Sequence, residues 1–84
     1  MNELIKNVAE AIDNNDNYTP IRLIVEFMGW NPDALYKLDC IERDHERKGH
    51  LTPLLRIERD EVKEWIEGHF IAKYGEKNWI KLRF

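Results

Sequence analysis

The sequence predicts an α+β fold that is mostly α, with a minimal two-stranded sheet. Apolar residues recur at helical spacing in four segments, whereas two short segments in the second half alternate apolar and charged residues. Gly, Pro and Asn residues punctuate the chain between these segments. At 84 residues the chain suits a single domain over residues 1–84.

Two helices are predicted in the N-terminal part. Apolar positions in "NELIKNVAEAID" share one helical face and predict a helix over 3–13. A helix over 20–28 is expected because Thr19 and Pro20 form a start signal and Gly29 a stop signal. The alternating, β-branched residues of this second segment also suit a strand, and the start and stop signals favour the helix.

A sharp turn separates this helix from a third one. Gly29 is predicted to adopt a positive φ angle, and the apolar Trp30 is expected to fill the angle between the helices. Asn31 is a favoured N-cap and Pro32 a favoured first helical residue, so a helix is predicted over 32–45. Its core stripe consists of Ala34, Leu35, Leu38 and Ile41.

The second half is predicted to combine two strands with a fourth helix. After a Gly- and Pro-containing loop, "LLRIE" indicates a strand over 54–58. A helix is expected over 60–73 with Trp65 in the core, so that Trp65→Ala is expected to cost about 3–5 kcal/mol. Gly75 suits the C-cap of this helix.

The C-terminal "NWIKLRF" alternates and predicts a strand over 79–83. This strand would place Trp79, Lys81 and Arg83 on one face, which suits contact with a nucleic acid or a protein partner. The alternative is that Trp79 folds back over the core.

The two helices around Gly29 form a helix–turn–helix, an arrangement that inserts its second helix into DNA but is also common in small α-helical proteins. The region that follows, "GHLTPLLRIERDEVKEWI", contains Gly49, Pro53, Arg56, Ile57, Arg59, Val62 and Trp65. Residues 18–68 thereby resemble the excisionase and MerR-like winged helix–turn–helix proteins of phages and mobile elements. The resemblance implies a domain that binds and often bends DNA and directs recombination or transcription without catalysis. Residues 1–17 would add an N-terminal helix, and residues 69–84 the end of the last helix and a strand.

Seven residues are candidates for DNA contact under this hypothesis. Tyr36 and Lys37 would approach the groove, and Arg43 and Arg47 would contact phosphates. The predicted wing would contribute His50, Arg56 and Arg59. Each of these side chains is equally well explained as a solvated surface group.

The charge of the chain keeps a second function open. The formal net charge is −3, whereas DNA-binding domains are usually basic. Residues 1–17 carry a net −3 and residues 73–84 a net +3. The predicted recognition helix contains the acids Asp39, Glu42 and Asp44. They suit a phage-type inhibitor or adaptor that uses an acidic face to bind a basic, nucleic-acid-binding host protein. A DNA-binding module this small is expected to act as a homodimer or a cooperative array.

Other classes of function lack a sequence signal. Cys40, His45 and His50 do not share one helical face, so no metal site is predicted. The chain contains no recognisable catalytic or phosphate-binding motif, so neither an enzyme nor a cofactor is expected. The single cysteine and the lack of a long apolar run predict a soluble cytoplasmic protein without a membrane partner.

Overall fold

The described part of the chain is built from α-helices. The computed structural model describes residues 1–14, 18–29 and 31–83, and these residues contain helices but no strand. The helices are α1 (Asn2–Asp13), α2 (Thr19–Met28), α3 (Pro32–Lys48), α4 (Pro53–Tyr74) and α5 (Glu76–Lys81). The first three predicted helices are confirmed, and the predicted α+β class with its two-stranded sheet is wrong.

Local capping explains where α3 begins and ends. Asn31 Oδ1 accepts a hydrogen bond of 3.0 Å from the backbone N–H of Ala34, and Pro32 follows the cap as predicted. Gly29 has φ +109°, which confirms the predicted positive angle. At the other end Gly49 is left-handed, and its N–H donates to the carbonyl of His45.

The predicted strand over 54–58 and the predicted helix over 60–73 are one continuous helix, α4. Thr52 Oγ1 accepts a hydrogen bond of 3.2 Å from the N–H of Leu55, and Pro53 occupies the first turn. This cap starts the helix well before the predicted position. The predicted wing is therefore absent from the described residues, and α3 is followed by a short turn into α4.

The predicted C-terminal strand is also wrong. Gly75 (φ +92°) ends α4 as predicted, but the chain then forms the short helix α5. Helical geometry turns Trp79 into the core and leaves Lys81 and Arg83 exposed. The predicted shared face of Trp79, Lys81 and Arg83 does not exist, and the alternative position of Trp79 over the core is confirmed.

Helices α2 and α4 each contact three others: α2 packs against α1, α3 and α4, and α4 packs against α2, α3 and α5. The fully buried side chains of the core are Val8, Ile21, Ile24, Val25, Leu38, Ile41, Ile66, Phe70 and Leu82. Trp65 is not among them, because it is 42% exposed, so its predicted place in the core is wrong. The predicted role of Trp30 lies outside the described residues.

Candidate functional site

The outward side of α3 carries three of the predicted contact residues. Tyr36, Arg43 and Arg47 are separated by seven and four residues, a spacing that aligns them along one ridge of a helix. All three are exposed, and Tyr36 is 70% accessible. Arg47 donates a 2.9 Å hydrogen bond to Asp44, so the ridge combines an aromatic ring with partly neutralised charge.

Two acids of α3 point towards α2 instead of outwards. Arg22 Nη2 lies 2.5 Å from Asp39 Oδ1 and 2.6 Å from Glu42 Oε2. Partial burial lowers the pKa of Arg22, but hydrogen bonds and charge interactions with the two carboxylates outweigh that effect and raise it. The guanidinium therefore contributes one positive charge against the two carboxylates of Asp39 and Glu42.

The other predicted DNA contacts are scattered by the continuous α4. His50 lies in the turn between α3 and α4, and Arg56 is exposed in the first turns of α4. Arg59 Nη2 lies 3.2 Å from Asp60 Oδ1. Without a hairpin, these residues do not form the expected second contact element beside α3.

Lys37 faces α4 and helps to line a cleft that the sequence did not predict. Two adjoining cavities, of about 370 and 580 Å³, lie between the α2–α3 turn and the middle of α4, and both are lined by Asn31 and Trp65. We call this cleft the aromatic groove. Its lining consists of Met28, Gly29, Asn31, Asp33, Ala34, Lys37, Glu61, Val62, Trp65, His69, Ala72 and Lys73.

The two ends of the aromatic groove differ in charge. Asp33 and Glu61 lie at one end, where Glu61 Oε2 is 3.8 Å from Lys37 Nζ. His69 and Lys73 lie at the other end, and Lys73 Nζ donates a 3.3 Å hydrogen bond to the carbonyl of Met28. One end of the groove thus combines two carboxylates with the ammonium group of Lys37, and the other end has Lys73 beside the imidazole of His69.

Trp65 lies between the two ends because of its position on α4. The buried residues Val62, Ile66 and Phe70 follow the spacing of one helical face, and Trp65 lies at the border of that face. Its indole ring packs against the imidazole of His69, with ring centroids 4.4 Å apart. A large aromatic ring in a partly open cleft is the kind of anchor that protein interfaces use.

Two other kinds of site are not found among the described residues. Residues 1–14, 18–29 and 31–83 contain no group of three His, Cys, Asp or Glu side chains placed to hold a metal ion. Within the same ranges no helix is both long and apolar enough to cross a membrane. In comparisons with known proteins, no family model, curated protein or solved structure matches the chain.

Proposed function

We propose that this protein is a non-enzymatic protein-binding module, of the adaptor or inhibitor type, and that the aromatic groove is its binding site. The observation that supports this most directly is the exposure of Trp65. Leaving a large aromatic side chain 42% exposed forgoes part of the free energy that its burial would provide. A partner that covers the ring recovers that free energy on binding.

The charge of the surface around the groove favours a protein partner over nucleic acid. The exposed acids Glu61 and Glu64 lie on α4 within one helical turn of Trp65 and would repel phosphates. The acids considered from sequence, Asp39 and Glu42, contribute less to this surface because Arg22 holds them. In this proposal the acids that face a partner are therefore Asp33, Glu61 and Glu64, rather than Asp39 and Glu42.

Affinity capture with a matched pair of variants tests the proposal. The immobilised protein is incubated with a cell lysate, captured proteins are identified, and their binding is then measured with purified components. Trp65→Ala is expected to abolish binding, whereas Ile80→Ala, which removes an exposed side chain on α5, is expected to leave it unchanged. Equal binding by both variants would exclude the groove as the site.

Duplex DNA is a second candidate ligand because of one specific observation. Arg22 pairs with Asp39 and Glu42, so these acids are held towards α2. The outward ridge of α3, which is the second helix of the helix–turn–helix, exposes Tyr36, Arg43 and Arg47. Phosphate contacts from such a ridge would make affinity fall steeply with salt. A titration of mixed-sequence duplex at two salt concentrations distinguishes this candidate from a groove that binds protein.

A further inference from the structure

We propose that the partner of the aromatic groove is an amphipathic helix that carries lysine or arginine residues beside its apolar face. This inference rests on the proposed function, because it names the chemistry of the partner for the same site. It stands on an exposed face of α4 that overlaps the groove and continues towards the start of the helix. We call this face the α4 stripe, and it consists of Leu54, Ile57, Glu58, Glu61, Glu64, Trp65, Gly68 and Ala72.

Large apolar side chains of the α4 stripe are exposed over several helical turns. Leu54 is 61% exposed, Ile57 56% and Trp65 42%. At about 100° per residue the whole stripe falls within an arc of about 120° around the helix. It runs for about 27 Å along the helix axis. Because the apolar groups are aligned along one face, a single continuous partner surface can cover them together.

The shape of the α4 stripe suits a helical partner better than an extended one. An extended segment binds by adding a strand to the edge of a sheet, and residues 1–14, 18–29 and 31–83 contain no strand. A helix satisfies its own backbone hydrogen bonds and can lay an apolar face along the stripe. About 18 residues of helix match the length of the stripe. The exposed small residues Gly68 and Ala72 allow a close approach near one end.

The charges of α4 are separated between two sides of the helix. The charged residues of the stripe are Glu58, Glu61 and Glu64, and the stripe contains no lysine or arginine. The cations in the first half of α4 lie on the opposite side of the helix, namely Arg56, Arg59 and Lys63. Lys37 of α3 lies 3.8 Å from Glu61 and offsets one of the negative charges. The charge that remains favours cationic residues beside the apolar face of the partner.

The same charges disfavour a second copy of this chain as the partner. An antiparallel pair of stripes centred between Leu54 and Trp65 would bring Glu58 of each copy close to Glu61 of the other. Both contacts would be repulsive, and a parallel pair would also place like charges together. The stripe therefore favours a helix of a different sequence.

Two synthetic helical peptides of about 18 residues serve as probes. Both carry leucine at every third or fourth position, and the flanking residues are lysine in one peptide and glutamate in the other. Fluorescence anisotropy of the labelled peptides measures their binding to the full chain. The lysine peptide is expected to bind at least about tenfold more tightly than the glutamate peptide. Equal affinities, or no binding of the lysine peptide up to about 1 mM, overturn the proposal.

Apolar variants locate the bound peptide on the surface. Ile57→Ser is expected to weaken binding of the lysine peptide by at least about fivefold, because it removes an apolar contact at the centre of the stripe. Ile80→Ser removes a similarly exposed side chain on α5 and is expected to leave binding unchanged. Equal binding by the two variants overturns the assignment of the stripe.

Charge variants provide the most specific test. A double variant with Glu61→Lys and Glu64→Lys is expected to reverse the preference and bind the glutamate peptide more tightly. Such binding also shows that the double variant is folded. The control makes the same charge change at Glu3 and Glu10, which are exposed on α1, and is expected to keep the preference for the lysine peptide. A control that loses the preference as fully as the double variant shows attraction to net charge alone and overturns the proposal.

Trp65→Ala separates the failure of this inference from that of the proposed function. If neither peptide binds through Ile57 but Trp65 still determines the binding of a purified captured protein, the groove binds protein and the basic helix is excluded. If Trp65→Ala changes neither peptide binding nor capture, both proposals fail.

Discussion

The indole of Trp65 and the imidazole of His69 lie one helical turn apart on α4, with ring centroids 4.4 Å apart and planes inclined by 53°. The two rings form part of the wall of the aromatic groove. Because Trp65 is 42% exposed, its contribution to folding is smaller than that of a fully buried aromatic residue. Their position suits binding instead.

Replacing Trp65 is expected to cost little stability. Its indole is 42% exposed, so Trp65→Ala is expected to lower the free energy of unfolding by less than about 2 kcal/mol. Trp79 is 6% exposed and packs against Phe70, so Trp79→Ala is expected to cost about 3–5 kcal/mol. Urea denaturation of the two variants measures both values. Equal losses of stability would show that Trp65 is a core residue like Trp79.

Arg22 is expected to hold α3 against α2. Arg22→Met keeps most of the apolar stem but removes the charge that pairs with Asp39 and Glu42, so a loss of about 0.5–2 kcal/mol is expected. Arg83→Met removes one exposed positive charge elsewhere and serves as control. Thermal unfolding at low and high salt measures the difference. A variant as stable as the control would show that the ion pairs contribute nothing.

Adding a side chain at Gly29 and at Gly68 is expected to change the stability of the fold in opposite directions. Gly29 has φ +109° with open space around it, so Gly29→Val is expected to destabilise the fold by about 1–2 kcal/mol through backbone strain. Gly68 lies within a helix, so Gly68→Ala is expected to stabilise it by about 0.5–1 kcal/mol. Melting curves of dilute protein report both. A neutral Gly29→Val would contradict the strain at the turn.

The DNA hypothesis makes its own prediction about α3. If the ridge binds duplex, Arg43→Glu is expected to weaken binding and to lower the salt slope by about one unit per lost phosphate contact. Glu10→Lys on α1 is expected to leave the specific contacts unchanged. Fluorescence titration at low salt measures both. Equal, weak binding by wild type and Arg43→Glu would exclude the ridge as a DNA site.

The early helices were predictable because strong local signals coincide there. At Gly29, Asn31 and Pro32 a stop, a cap and a start follow one another within a few residues. The start of α4 carries the same kind of signal at Thr52 and Pro53. The alternation of Leu55 and Ile57 concealed it, since five residues satisfy a strand pattern and a helical pattern equally well.

The C-terminal helix and the aromatic groove could not be predicted from local sequence patterns, because both depend on contacts between different helices. Trp79 and Leu82 are three residues apart and both buried, a helical relation that the alternating letters obscured. The aromatic groove brings Lys37 and Glu61 together from different helices, so no local pattern contains it. Whether Trp65 lies in the core or at its border depends on a small rotation of α4, which sequence spacing does not determine.

The most direct test of a protein-binding groove is to follow the indole N–H resonances of Trp65 and Trp79 by NMR as a captured partner protein is added, with Trp65→Phe to assign the signals. The Trp65 resonance is expected to shift or broaden together with the amides of Glu61, His69 and Lys73, which line the groove. The resonance of buried Trp79 and the amides of α1 should remain fixed. Resonances of the groove that stay unchanged when a captured protein binds would contradict the claim that this groove is the interaction site.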